Sequence, residues 1–316
     1  MAVWQRPCVR AARIAAAVAR DAVDFPAGVA MMIRMALSDP PSPSGGALPV
    51  SGVWRGGRTL STVCTIVPPN DRGQDWVVGD IHGQFTRLRE DLARAGFRAE
   101  DGDRLFSVGD LVDRGGESVE VLTWLGYPWF HAILGNHEGL FLDWIDQPTP
   151  GGRARFLGET YAQNGGEWVR AQPEAVLQGV AAAFRRLPYL RVLPQPQGAP
   201  VAIVHAQMPD GSRWPQLLEQ PLTARWMAEV TWSRSRCRRA QQPDGAGPEG
   251  GADAMDQNVI DGFLAVVVGH EVVSVPQVLG NHVYIDVGGW VDGRRFLPLR
   301  VADIARQMTR RLGAAS

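Results

Sequence analysis

Lysine is absent from the 316 residues, so all 32 basic side chains are arginine; we read this as a compositional bias rather than a functional signal. Cysteine is scarce: Cys8, Cys64 and Cys237 lie far apart with no CxxC spacing. That excludes a zinc knuckle or a disulfide framework and points to a reducing cytoplasm. No apolar run reaches the roughly 18 residues that a membrane-crossing helix needs. The Ala-rich N-terminus is broken by Arg20 and Asp21 before it becomes the apolar segment of a signal peptide. An excess of charge of one sign is also missing, with 33 acidic residues against the 32 basic and a net charge of −1. Bulk nucleic-acid and anionic-membrane partners demand a basic excess, so neither is expected. What is present, 45 % hydrophobic and 21 % charged residues, suits a folded chain able to hide about three quarters of its unfolded surface.

Two stretches have the composition of linkers. DPPSPSGG at 39–46 closes an N-terminal extension over 1–49, disordered or partly helical, and QQPDGAGPEGGA at 241–252 reads as a flexible loop. Between and around them, 50–307 forms one domain, and 308–316 a C-terminal tail. Short apolar runs at 76–78, 105–108, 132–134, 201–204, 264–268 and 283–285 read as buried strands. Phe85, Leu88, Leu92 and Ala95 before Gly96, Val119, Leu122 and Leu125 before Gly126, and Val176, Leu177, Val180, Phe184 and Leu187 before Pro188 have helical spacing. The alternation begins βαβαβ, which implies a parallel sheet with its ligand site beyond the carboxyl ends of the strands.

Polar clusters stand at those ends. GDIHGQ follows the first strand, where an extended backbone would point Asp80 and His82 the same way, as metal ligands require. GDLVDRG follows the second, with Asp110, Asp113 and Arg114, and GNHEG the third, with Asn136 and His137. Taken singly, each has a bland reading: a Gly-Asp turn, an Asp-rich helix cap with a surface salt bridge, an N-cap. Three successive strand ends of one character weigh against coincidence. His205 and His270 close two later strands. His131, inside a strand, is assigned to packing, and His282, in a turn, to the surface.

The blocks GDIHGQ, GDLVDRG and GNHE, at these spacings, resemble the phosphoprotein phosphatases of the metallophosphoesterase superfamily, in particular the compact bacterial and phage branch typified by the lambda phosphatase. The resemblance runs from about 75 to 303 and takes in NGGEW, VHAQ, TWSR and VYIDVGG, with Gln207 and Glu271 as departures where glycine and threonine are usual. It implies an α/β metallophosphoesterase fold, a central β-sandwich of two mixed sheets flanked by helices. It implies one metal held by Asp80, His82 and Asp110, and a second held by Asp110, Asn136, His205 and His270. A hydroxide bridging the two ions would attack phosphorus in line, His137 would protonate the leaving oxygen, and Asp113 would orient that imidazole. Arg114 and Arg234 would grip the phosphoryl oxygens. Arg234 also begins an Arg-rich run that reads equally as a solvated face. Two divalent ions of oxygen-and-nitrogen preference follow, Mn²⁺ first, with Fe or Zn as alternatives.

The activity implied is hydrolysis of phosphoserine or phosphothreonine monoesters, with phosphotyrosine as a further substrate, on a phosphorylated protein or peptide. Two other readings compete. A symmetrical diadenosine tetraphosphate hydrolase shares the metal site, but its members typically carry GNHD and lack the Asp and Arg of DRG, both present here. A non-catalytic dimetal scaffold should have lost ligands or the acid, and every such position is filled.

Overall fold

The computed structural model describes residues 63–241 and 258–313. The extension over 1–49 and nearly all of the loop expected over 241–252 lie outside the described residues. Four strands, β1 (Cys64–Ile66), β2 (Asp75–Val78), β3 (Arg104–Ser107) and β4 (Phe130–Ala132), precede β5 (Leu190–Leu193) and β6 (Val201–Ile203). The last four are β7 (Ala265–Val268), β8 (Gln277–Leu279), β9 (His282–Tyr284) and β10 (Leu299–Arg300). They form two mixed sheets, one in the order β10-β2-β3-β4 and one in the order β1-β5-β6-β7-β9-β8. β2, β3 and β4 are parallel, as the βαβαβ opening predicts, and β10 runs antiparallel beside β2.

The alternation of side chains along each strand divides the apolar residues between two cores. Val77 and Phe106 from one sheet meet Val201, Ile203, Val267 and Val283 from the other. The last helix, α8 (Val301–Gly313), adds Ile304, Ala305 and Met308 to this sandwich interior. The opposite pleats, Trp76, Val78 and Leu105 on one side and Val192, Val204 and Val268 on the other, pack against flanking elements. Both faces of β2, β3, β6, β7 and β9 are therefore buried, which is why they read as continuous apolar runs, whereas β1, β8 and β10 stay partly exposed.

Helix α1 (Phe85–Ala95) buries Phe85, Leu88 and Leu92 and stops at Gly96, left-handed with φ 84°, as the spacing predicts. The second helix differs: Ser118–Glu120 is a 3₁₀ turn, α2 covers only Val121–Leu125, and Gly126 stays right-handed. Helix α3 spans Asn136–Ile145, α4 Pro150–Phe156 and α5 Glu174–Phe184. α6 (Ala224–Trp232) and α7 (Ser235–Gln241) follow β6. The strand expected at 132–134 lies two residues earlier, because Leu134 N–H leaves the sheet to bond Pro188 O. Residues 308–313, expected as the start of a tail, continue α8, because Met308 is drawn into the core. His282, assigned to the surface, is buried, its Nε2 accepting Met208 N–H at 3.1 Å.

Candidate metal centre

The loops after β2, β3, β4, β6 and β7 converge beyond the strands' carboxyl ends. Their backbone is strained at the functional positions. Among the described residues, the non-glycine residues with left-handed φ are His82 (46°), Asp110 (51°), Asp113 (72°), Arg114 (66°) and His270 (62°). Such conformations cost on the order of 1–3 kcal/mol each and persist where the surroundings enforce them. His82 is therefore not the extended residue that the alternation past Ile81 implied. Glycine fits where the loops touch: a Cβ on Gly135 would overlap Asp110 Oδ1, and one on Gly109 would come within 2.7 Å of Gly135 N.

Asp80, His82, Asp110, Asn136, His137, His205 and His270 are all buried and come together. Two groups of donor atoms lie within 4.8 Å of one another: His82, Asp110 and His137, and Asp110, His205 and His270. Asp110 is common to both. Asn136 joins the second through Oδ1, 2.8 Å from His205 Nε2. Asp80 stands behind it, its carboxylate accepting His270 N–H at 3.1 Å and lying 4.0 Å from His205 Nδ1. Three features fit divalent cations here. His82 Nε2 is buried with no hydrogen-bond partner, the donors are carboxylate, amide and imidazole without sulfur, and the other ring nitrogens are committed elsewhere. His82 Nδ1 faces Val112 O at 3.0 Å and His205 Nδ1 faces Val108 O at 2.8 Å, leaving each Nε2 turned inward.

The electrostatics describe a site short of positive charge. Burial, with Asp286 and Asp110 nearby, pushes the Asp80 carboxyl well above its usual range. Burial disfavours the Asp110 carboxylate too, yet His205, His137 and His82 outweigh it and hold that group well below the usual range. Burial opposes a charged His205, but Asp110 overrides it and raises the imidazole to about 9. A cation set between these carboxylates would take over the role of that proton.

Beside this centre, His137 Nδ1 lies 2.7 Å from Asp113 Oδ2. The other oxygen of Asp113 accepts from Tyr161 Oη–H and Trp168 Nε1–H, both at 2.7 Å. Arg114 places Nη2 3.2 Å from His137 Nε2 and lays its guanidinium over the Trp290 ring, 4.6 Å from the centroid. Arg234 places Nε 3.2 Å from His270 Nε2, which also faces Trp232 O at 3.1 Å. The Arg-rich run is not one solvated face: Arg236 is fully buried and bonds Asn258 Oδ1, Met208 O and Asp210, whereas Arg238 is exposed. Gln207 is buried and accepts Arg236 N–H at 3.2 Å, so it fastens the start of α7.

Sequence reasoning missed several supports. Glu138 accepts Asp110 N–H, Leu111 N–H and Gly135 N–H at 2.9, 2.7 and 2.9 Å and ties two site loops together. Its place three residues after Gly135 was the available signal. Tyr161 had none. Trp168 lies in NGGEW, whose Gly165 carbonyl accepts Arg114 N–H at 3.1 Å.

The profile of the calcineurin-like phosphoesterase family matches residues 76–274. Serine/threonine-protein phosphatase 2 of Salmonella typhimurium is 31 % identical over 222 residues, 69 % of this chain and 88 % of that protein. The Escherichia coli protein of the same name is 30 % identical over 224 residues, 69 % of this chain and 89 % of that protein. A symmetrical bis(5'-nucleosyl)-tetraphosphatase of Hamiltonella defensa is 39 % identical over 67 residues, covering 20 % of this chain and 24 % of that protein.

Proposed function

Because the chain belongs to the calcineurin-like phosphoesterase family, we propose that it is a metal-dependent protein phosphatase that hydrolyses phosphoserine and phosphothreonine monoesters. The observation that carries this reading is the Asp113–His137–Arg114 chain beside the buried Asp110, a proton donor and a phosphate grip adjoining a cation site. Relatives named serine/threonine-protein phosphatase, matched over most of their length, support it. Matches to symmetrical dinucleotide tetraphosphatases span 20 % of the chain in one relative and 31 % in another.

In this reading His82 and Asp110, with Asp80 beside them, hold one divalent ion, and Asp110, Asn136, His205 and His270 hold the other; Mn²⁺ suits the donor set best. When bound, such ions supply the Lewis acidity that ionises a water near neutral pH and neutralises charge on the phosphoryl group. The remaining chemistry belongs to the chain. Arg114 presents a planar guanidinium whose N–H groups match phosphoryl oxygens, and the Trp290 face keeps it in place. Asp113 fixes His137 with Nδ1–H pointing at the carboxylate, so only Nε2 can exchange a proton with substrate. At rest Arg114 faces Nε2. A phosphoryl group that engages the guanidinium removes that donor; Nε2 can then take a proton from solvent, giving an imidazolium that Asp113 stabilises, and pass that proton to the departing serine or threonine oxygen. Tyr161 and Trp168 keep Asp113 from turning.

Protein treated with chelator and reloaded with Mn²⁺ is expected to release phosphate from p-nitrophenyl phosphate and from phosphoserine and phosphothreonine peptides, and the chelated protein to release none. Metal-loaded protein that is inactive on all of them, or that releases ADP from diadenosine tetraphosphate while sparing the peptides, overturns the proposal.

A further inference from the structure

The two site arginines are held in different electrostatic states. The side chain of Arg114 touches a ring nitrogen, 3.2 Å away, and the face of Trp290, with the Asp286 carboxylate near enough to interact electrostatically but not in direct contact. Arg234 meets, at three points, two residues at the start of the loop after β7. Its Nε lies 3.2 Å from His270 Nε2, a nitrogen that also faces Trp232 O at 3.1 Å, its Nη2 donates to His270 O at 3.3 Å, and its Nη1 lies 3.3 Å from Glu271 Oε2. That last contact is an ion pair without a hydrogen bond, for Oε2 is buried and has no hydrogen-bond partner. Both side chains remain partly open, at 36 % for Arg234 and 26 % for Glu271. A carboxylate thus stands against one guanidinium of a site built to receive an anion, and the pairing is loose enough to exchange.

We propose that Glu271 is a specificity-determining residue: by neutralising Arg234 it lowers the preference of the site for doubly charged phosphate monoesters relative to singly charged phosphodiesters. The inference rests on the phosphoesterase reading above and adds to it a statement about substrate charge. Coulomb attraction scales with the charge of the ligand, so one unpaired guanidinium favours a dianion over a monoanion, and a carboxylate beside that guanidinium cancels the difference. Glu271 also has to yield Nη1 before Arg234 can donate to a phosphoryl oxygen with that nitrogen, a competition with a carboxylate in direct contact.

The test compares Glu271→Gln, which keeps shape and removes charge, with Glu271→Asp, which keeps charge. Metal-loaded proteins are assayed on p-nitrophenyl phosphate and bis(p-nitrophenyl) phosphate, and binding of inorganic phosphate is measured by calorimetry at mildly alkaline pH. Glu271→Gln is expected to raise the monoester-to-diester ratio of kcat/KM about three- to fivefold and to tighten phosphate by a similar factor, the scale of one partly screened charge pair. Glu271→Asp is expected to stay near wild type in both. An unchanged or lowered ratio in Glu271→Gln, or an equal shift in Glu271→Asp, overturns the proposal. Wild-type protein that hydrolyses neither ester overturns the phosphoesterase reading; the calorimetry then decides the role of Glu271 alone, unchanged phosphate affinity in Glu271→Gln refuting it.

Discussion

A single proton position governs the residues nearest the chemistry. His137 is almost wholly buried, shares a 2.7 Å contact with Asp113, and is flanked by Arg114. Its backbone N–H also donates to Asp110 Oδ1 at 3.0 Å, so the proposed acid and the proposed shared metal carboxylate are registered to one another. His137→Asn keeps a polar side chain of similar reach but cannot carry the proton. The variant should lose roughly 10²–10⁴-fold in kcat on unactivated phosphopeptides, with metal content by elemental analysis unchanged. A loss of metal in step with activity would assign His137 to the ligand set instead, a role its place in the first donor group leaves available.

Helix α3 is the element on which most of the site depends, since it begins at Asn136 and carries His137 and Glu138 in its first turn. The Glu138 carboxylate accepts three backbone N–H groups there, satisfying donors that a helix start and a strained loop would otherwise leave bare. Gly139 follows, inside the helix and with open space where a Cβ would lie. Gly139→Ala is therefore expected to stabilise the fold by about 0.5–1 kcal/mol, because alanine loses less backbone freedom on entering a helix. Urea denaturation reads the change, and a lower midpoint would show the space to be filled. The elements also mark the limit of periodicity as a guide. Phe85, Leu88 and Leu92 repeat over about two turns and specify α1. The five residues of α2 depend on what packs beneath Val121 and Trp124.

At the scale of the whole molecule, stability in acid involves groups remote from the site. His131 sits in β4, its ring stacked 5.0 Å from Phe106. Burial, then Arg191 and Arg104, lower its pKa from 6.5 to about 4, with Asp75 opposing. The folded chain thus holds His131 neutral, while the unfolded chain takes up the proton first. The stability associated with this neutral ring is complete above about pH 6.5 and is lost as pH falls from there towards 4. His131→Gln should lose less stability between pH 7 and pH 5 than the wild type, measured by urea midpoints at the two values. Equal losses would mean that the ring is solvated in the native state.

The sequence by itself determined the central strands β2, β3, β6, β7 and β9, because burial on both faces writes a continuous apolar run; β1, β5, β8 and β10, at or near the sheet edges, left no such run and were not expected. It also determined the strand-end clusters of Asp80, Asp110 and Asn136, because ligands must sit where parallel strands end and glycine must stand where loops nearly touch. It did not contain the support of Asp113 by Tyr161, 48 residues away, nor the pairing of Arg234 with Glu271. Those partners meet only when loops after different strands close over one another. The left-handed turn at His82 and the burial of His282 have the same origin, for a backbone angle or a side chain's exposure at these positions is decided by what packs across it. Chemistry that lies along one strand end is local and leaves a motif; support that crosses between sheets and helices is set by packing in three dimensions, which no spacing in the chain records.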